Sequence, residues 1–258
     1  MGLRRQAEWL GRASPLVARP LEFAARTGRV LLSIPGFGRA WVTYRHLPKA
    51  EKLRLRDADP RLSDRLRASP FDSHYLHQAV WAAERIFDNA PSEHVDVGSQ
   101  LSFVTILAAK LPVVFVDIRP LDLRVAKLRP IAGDILALPF ADRSVASVSC
   151  LHVVEHIGLG RYGDRLNPAG TRQALAELER VLAGGGNLFL SLPVGVPRVC
   201  FNAHRIHDPR EIVERMSDLD LVEFSAVDDA GRLHPGDALQ NAARFRYGCG
   251  LFWFQRRP

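Results

Sequence analysis

From Phe71 to the last residues, short β-branched runs alternate with stretches of helical period, and this alternation is the strongest constraint on the fold. HVDVGS reads as a buried strand ending at Gly98, and the helical stretch FVTILAAK follows it. Pro112 breaks that helix, and VVFVD forms a second strand closing on Asp117. A third short strand precedes Gly133-Asp134, VASVSC is the fourth and NLFLSLP the fifth. DLVEFSAV and YGCGLFWFQ read as a terminal strand pair joined by a polar, glycine-containing loop. The runs are apolar throughout, as in strands covered on both faces, so the class is α/β with a mostly parallel sheet and helices on each side.

Local signals bound the helices. Asp72 or Ser73 can cap a helix whose apolar positions Leu76, Val80, Ala83 and Phe87 share one face, with Pro91 ending it. Thr171 to Ala183 is amphipathic through Leu175, Leu178, Val181 and Leu182, and the triple glycine 184–186 is expected to stop it as a left-handed C-cap. Asp208-Pro209 with Glu211 opens another helix, cap first and proline in the first turn. Residues 1–70 carry no strand signal; they read as a basic, helical extension preceding a domain over 71–258.

A chain of 258 residues with 47% hydrophobic content buries a full core for such a domain. The net charge of +7 is uneven: residues 1–45 hold eight Arg against two Glu, which leaves only +1 for the remainder. A near-neutral domain argues against nucleic-acid binding, which needs a basic stripe on the core. The basic extension suits peripheral contact with an anionic membrane surface, an acidic partner, or plain solvent. Cys150, Cys200 and Cys249 fit neither a disulfide framework nor a zinc spacing, so a reducing, cytoplasmic location is expected, with contact at the inner membrane face through the basic arm. No apolar run approaches a bilayer's thickness, and no signal-peptide core follows the first residues.

Chemistry concentrates between Gly133 and Asp164, where the apolar strand VASVSC ends abruptly in His152, Glu155, His156, Arg161, Tyr162 and Asp164. Polar residues at the carboxyl end of a parallel strand face the crevice where open α/β sheets bind ligands. Asp96-Val97-Gly98 closes the first strand, where a glycine admits a ligand to the backbone and the next helix offers free N–H groups. Asp117 closes the second strand, where a carboxylate can accept ribose hydroxyls; a nicotinamide cofactor would use the same logic.

Three features in order narrow the choice: Asp134 after the third strand, LPFADRSV before the fourth, and AELERVLAGGGNLFLSLP after it. Together they resemble the class I methyltransferases that use S-adenosylmethionine (SAM), over about residues 93–227. The run HVVEHIGLGRYGD, with HVDVGS and FVDIRP, also resembles a little-characterised methyltransferase-like family catalogued only as a domain of unknown function. The resemblance implies a Rossmann-like, doubly wound sheet of seven strands and a SAM cofactor. It places Asp96, Gly98, Ser99 and Gln100 along the methionine part and Asp117 with Ile118 at the ribose. Asp134 and Ile135 fall at the adenine, and Leu151 and His152 beside the sulfonium. Of the family's three loop glycines only Gly98 is kept; Gln100 and Ser102 stand in the other two places.

The methyl acceptor then falls over Glu155 to Asp164 and the loop PVGVPRVCFNAHRIHDP. His156 is the expected base, since neutral imidazole takes a proton near pH 7, with Glu155 orienting it or binding the acceptor. Arg161, His204 and Arg205 suit an anionic group, Tyr162 a stacking platform and Asp164 a partner for Arg161. The acceptor is expected to be a small molecule or glycan, and the resemblance hints at bacterial surface polysaccharide enzymes. No metal is expected, because His204-x-x-His207 lacks a third ligand nearby. Two other readings stay open: a degenerate SAM-binding scaffold, favoured by the altered glycine loop, and a nicotinamide-dependent oxidoreductase.

Overall fold

The computed structural model describes residues 33–62, 64, 69–119, 121, 122 and 124–258. The chain divides into two units, Met1–Pro70 and Phe71–Pro258. In the first, residues 33–45 are helical and Leu55–Asp57 form a single 3-10 turn. The arginines before residue 33 that were expected to form a basic helical arm lie outside the described residues.

The second unit is built on one sheet. β1 (His94–Val97), β2 (Val113–Asp117), β3 (Leu128–Ala132), β4 (Val145–Leu151) and β5 (Leu182–Val194) are parallel. β8 (Leu219–Val227), β9 (Leu233–His234) and β10 (Gly248–Arg256) complete it in the order β3-β2-β1-β4-β5-β10-β8-β9. β10 runs antiparallel to both neighbours, so the terminal strand pair expected from the sequence is present as the β10–β8 ladder. The sheet holds eight strands rather than seven because the two-residue β9 adds an outer edge. Strand order reverses between β1 and β4, which makes the gap above their carboxyl ends the natural ligand crevice.

Both faces are covered, as continuous apolar strands require. α1 (Ser73–Asn89) and α2 (Leu101–Ala108) bury Trp81, Ile86, Phe103 and Leu107 on one face, against Phe115, Phe189 and Leu251. α3 (Gly170–Val181) and α4 (Pro209–Arg215) bury Leu175, Leu178 and Ile212 on the other, against Val114, Val148, Leu190 and Phe252. A short α5 (Leu239–Ala242) precedes β10. No helix among the described residues is long and apolar enough to cross a membrane.

Three local expectations need correction. Asp72 caps α1, accepting from the His74 and Tyr75 amides, but Leu76 and Val80 are exposed; the buried face is His74, Gln78, Trp81, Ala82 and Ile86. The cause is tertiary: Ser191 Oγ donates to Gln78 Oε1 over 2.6 Å, and Trp81 Nε1 donates to Glu223 Oε1 over 3.0 Å. The triple glycine does not cap α3, which ends at Val181 with Leu182 already extended. Gly186 instead serves the irregularity between β4 and β5, where a Cβ would meet the Ala146 carbonyl at 3.1 Å. The loop after β5 contains an unanticipated hairpin, β6 (Arg198–Cys200) with β7 (His204–Ile206), turning at Asn202 with φ +59°.

Candidate active site

A cavity of about 730 Å³ opens at the strand-order reversal. Gly98 (φ +70°) and Val97 form its floor, Asp117 and Ile118 one wall, and Asp134, Ile135 and Leu136 the next. His152, Val153, His156 and the loop from Ile157 to Asn167 close the far side. Asp117 Oδ1 accepts from the Arg119 amide over 2.7 Å, and Oδ2 has no hydrogen bond to the described residues. Asp134 Oδ1 accepts from the Leu136 amide over 2.9 Å, a turn that sets Ile135 into the wall.

Not every acid near the site reaches it. Asp96 is fully buried and lies outside the cavity wall: Oδ1 accepts from the Ser99 amide and Oδ2 from the Ser149 hydroxyl. His94 joins the same buried chain, its Nε2 2.8 Å from Ser149 Oγ and its Nδ1 2.8 Å from Ser147 Oγ. Burial raises Asp96 to about 6 and lowers His94 to about 3. Ser99, Gln100 and Leu151 also lie outside the wall. Ser99 Oγ accepts from the Leu151 amide over 3.0 Å, which ties the β1 loop to the end of β4. Gln100 is the exposed residue before α2, at φ −62°, and Ser102 is helical. The backbone therefore needs no glycine at either position.

Beyond β4 the chain turns sharply, with His152 at φ +56° and a 3-10 turn over Val154–His156. Glu155 is fully buried between two histidines, Oε1 lying 2.8 Å from His152 Nδ1 and 3.6 Å from His156 Nε2. Its other oxygen, Oε2, is buried without a hydrogen-bond partner among the described residues. Burial opposes ionisation of Glu155, but His152 and then His156 outweigh it and hold the carboxyl below its ordinary range. His156 Nδ1 donates to the Ala203 carbonyl over 2.6 Å, and Arg161 Nη1 sits 3.2 and 3.3 Å from its two ring nitrogens. Burial lowers the His156 pKa; Glu155 works against this, Arg161 with it. The base candidate is thus neutral at pH 7, with its lone pair at Nε2.

The residues expected at the acceptor divide into two groups. Tyr162 is half-exposed on the cavity wall, with the guanidinium carbons of Arg119 and Arg161 at 4.9 and 5.1 Å from its ring centre. Asp164 is on the wall but does not pair with Arg161: Oδ2 accepts from the Gly158 and Gly160 amides, and Oδ1 from that of Tyr162. Arg205 lies outside the cavity wall. It is buried, and its guanidinium donates to the Ile157 carbonyl over 2.6 Å and the Asn167 carbonyl over 3.2 Å, holding the loop in place. Gly158 makes that loop possible, since a Cβ there would stand 2.2 Å from the Asn167 oxygen. His204 and Arg161 lie outside the wall; His204 packs on Tyr247 with ring centres 5.0 Å apart. Sequence reasoning passed over His74, Tyr75 and Tyr247, whose rings cluster with His152 and His204.

The reversal between β1 and β4, the antiparallel strand inserted before the penultimate one, and an acid ending β2 define the class I SAM-dependent methyltransferase fold. The N-methyltransferase NodS of Bradyrhizobium japonicum, solved with S-adenosyl-L-homocysteine (SAH), superposes with a TM-score of 0.52 at 17% identity, over 76% of this chain and 92% of that one. The [4+2]-cyclase SpnF gives 0.53 at 13% identity, over 70% and 81%. YcgJ of Bacillus subtilis gives 0.50 at 15% identity, over 71% and 99%. In sequence, residues 140–231 match the family described as "Caenorhabditis protein of unknown function, DUF268". No match to this chain is found among curated proteins.

Proposed function

We propose that the protein is a SAM-dependent methyltransferase acting on a small-molecule or glycan-type hydroxyl acceptor. The observation that carries this reading is the cavity itself. It runs from the Asp117 carboxylate and the Asp134–Ile135 turn to the imidazole of His156, across the strand-order reversal. The residues fit the cofactor: an unpaired Asp117 oxygen for the ribose hydroxyls, apolar Val116, Ile135 and Leu136 for a flat base, and a left-handed Gly98 on the floor. When bound, SAM supplies an electrophilic methyl group on a sulfonium. Nε2 of His156 takes the acceptor proton, Ala203 fixes its tautomer, and half-exposed Tyr162, with the Arg119 and Arg161 guanidiniums near its ring, offers a contact for a sugar or anionic group.

Isothermal titration with SAM, SAH and NAD tests this reading. SAM and SAH should bind and raise the melting temperature, as ligands of the native state do. Binding of NAD alone would mark an oxidoreductase instead. SAH binding without transfer to any hydroxyl acceptor would favour a cofactor-binding scaffold, the alternative suggested by the missing loop glycines. That SpnF is a cyclase shows that this fold alone does not fix the reaction.

A further inference from the structure

We propose that His74, His152 and Cys249 form a three-ligand site for a thiophilic divalent cation, zinc in preference, beside the cavity. The three residues come from α1, the turn after β4 and β10, and all are buried. One ligand atom from each lies within 4.8 Å of the others. His152 Nε2 is 3.3 Å from Cys249 Sγ, close to the separation of about 3.5 Å that zinc–sulfur and zinc–nitrogen bonds impose at a tetrahedral angle.

Two further geometric observations support the site. His74 is only 8% exposed, and its ring centre lies 5.6 Å from that of His152 and 5.1 Å from that of Tyr247, which brings a third donor to the His152–Cys249 pair. Behind His152, Glu155 Oε1 lies 2.8 Å from Nδ1, while Nε2 faces the Cys249 side. A carboxylate holding the far nitrogen of a histidine is the usual support of a metal-bound imidazole. Soft thiolate with two imidazoles selects zinc over magnesium or calcium.

Three protein ligands leave a fourth tetrahedral position, the arrangement of reactive rather than purely structural zinc. His152 also forms part of the cavity wall, so the proposal puts that position on the cavity side of the cluster. On the methyltransferase reading, on which this role rests, a hydroxyl or thiol of the acceptor would occupy it and lose its proton more readily.

The test uses the full chain, stripped with a chelator, kept reduced and titrated with Co²⁺. The proposal expects saturable binding with a thiolate-to-cobalt charge-transfer band and the strong visible bands of tetrahedral cobalt, both removed by Zn²⁺. Cys249→Ser should abolish the charge-transfer band. His74→Gln and Glu155→Gln should weaken Co²⁺ binding about tenfold or more with the circular dichroism spectrum retained. Absence of the band in the wild-type chain overturns the proposal, whatever the variants do. A band and affinity unchanged in Cys249→Ser and His74→Gln overturn it too. Titration with SAH separates the two ideas: a cobalt band without SAH binding keeps the metal site and removes the methyltransferase role. SAH binding without the band does the reverse.

Discussion

His156 Nδ1 stands 2.6 Å from the carbonyl oxygen of Ala203, at the turn end of the β6–β7 hairpin. A carbonyl only accepts, so Nδ1 carries the proton and Nε2 holds the lone pair. Burial first, and Arg161 and His152 after it, lower the His156 pKa, while Glu155 and the Ala203 contact raise it; the balance lies below the ordinary 6.5. The imidazole should therefore titrate below that value by NMR. Arg161→Leu removes one lowering influence and should move the midpoint up. A midpoint that stays fixed in Arg161→Leu would rule out the electrostatic contact.

The same residue has a catalytic test once an acceptor is found. His156→Asn should lower turnover about 10²-fold or more while SAH affinity is kept. The wild-type rate should rise with pH through the His156 midpoint, because only the neutral ring accepts a proton, and the variant should lack this limb. A stable, SAH-binding variant with an unaltered pH profile would make positioning alone the mechanism.

Asp117 carries the ribose assignment. Replacing it by Asn keeps the turn bond from the Arg119 amide but removes the charge of the acceptor, worth about 1.5–3 kcal/mol for a bond to a charged group. SAH should bind about 10- to 100-fold more weakly by calorimetry, with unchanged melting of the ligand-free protein. Equal affinity in Asp117→Asn would place the ribose elsewhere.

The sheet was legible because its strands are apolar runs ended by Gly98, Asp117 and Gly133-Asp134, signals that are local. Of the expected site residues, Asp117 at the end of β2 and His156 just past β4 do line the cavity, because a strand's carboxyl end fixes their place locally. Asp96 and Asp117 look alike in sequence; what separates them is Ser149 on the neighbouring β4, which engages Asp96. Arg205 looks like an anion ligand until two loop carbonyls from 38 and 48 residues away are seen to occupy it. The buried face of α1 was hidden for the same reason, since Gln78 and Trp81 are buried against partners 113 and 142 residues distant. The β6–β7 turn had a local signal, Asn202 in a Phe-Asn-Ala stretch suited to the left-handed region, and it was passed over.

Arg205 should prove structural. Arg205→Met leaves the Ile157 and Asn167 carbonyls without their donor, at a cost of about 1–3 kcal/mol, while the aliphatic stem is kept. Hydrogen exchange should speed up over residues 157–167, and the melting temperature should fall. Arg205→Lys should restore little, because one ammonium cannot span both carbonyls as the guanidinium does. Unchanged exchange in that loop together with lost acceptor affinity would return Arg205 to a substrate role.

The buried pair His94 and Asp96 gives opposite pH slopes that cancel. His94 is held at about 3 against an ordinary 6.5, so below 6.5 the unfolded chain binds a proton that the folded chain refuses. Its contribution is present above 6.5 and is lost as pH falls toward 3. Asp96 is held at about 6 against an ordinary 3.8, so between these values the folded chain keeps a proton that the unfolded chain releases. Its contribution is present below 3.8 and is lost as pH rises through 6. Each slope is about 1.4 kcal/mol per pH unit where fully developed, and between pH 4 and 6 they offset one another. Asp96→Asn keeps an acceptor for the Ser99 amide and removes only the second slope, so its stability should fall as pH drops from 6 to 4. His94→Gln removes the first, so its stability should fall as pH rises over the same range. Urea unfolding at several pH values measures both. Parallel pH profiles for the two variants would show that the chain through Ser149 does not hold these protonation states.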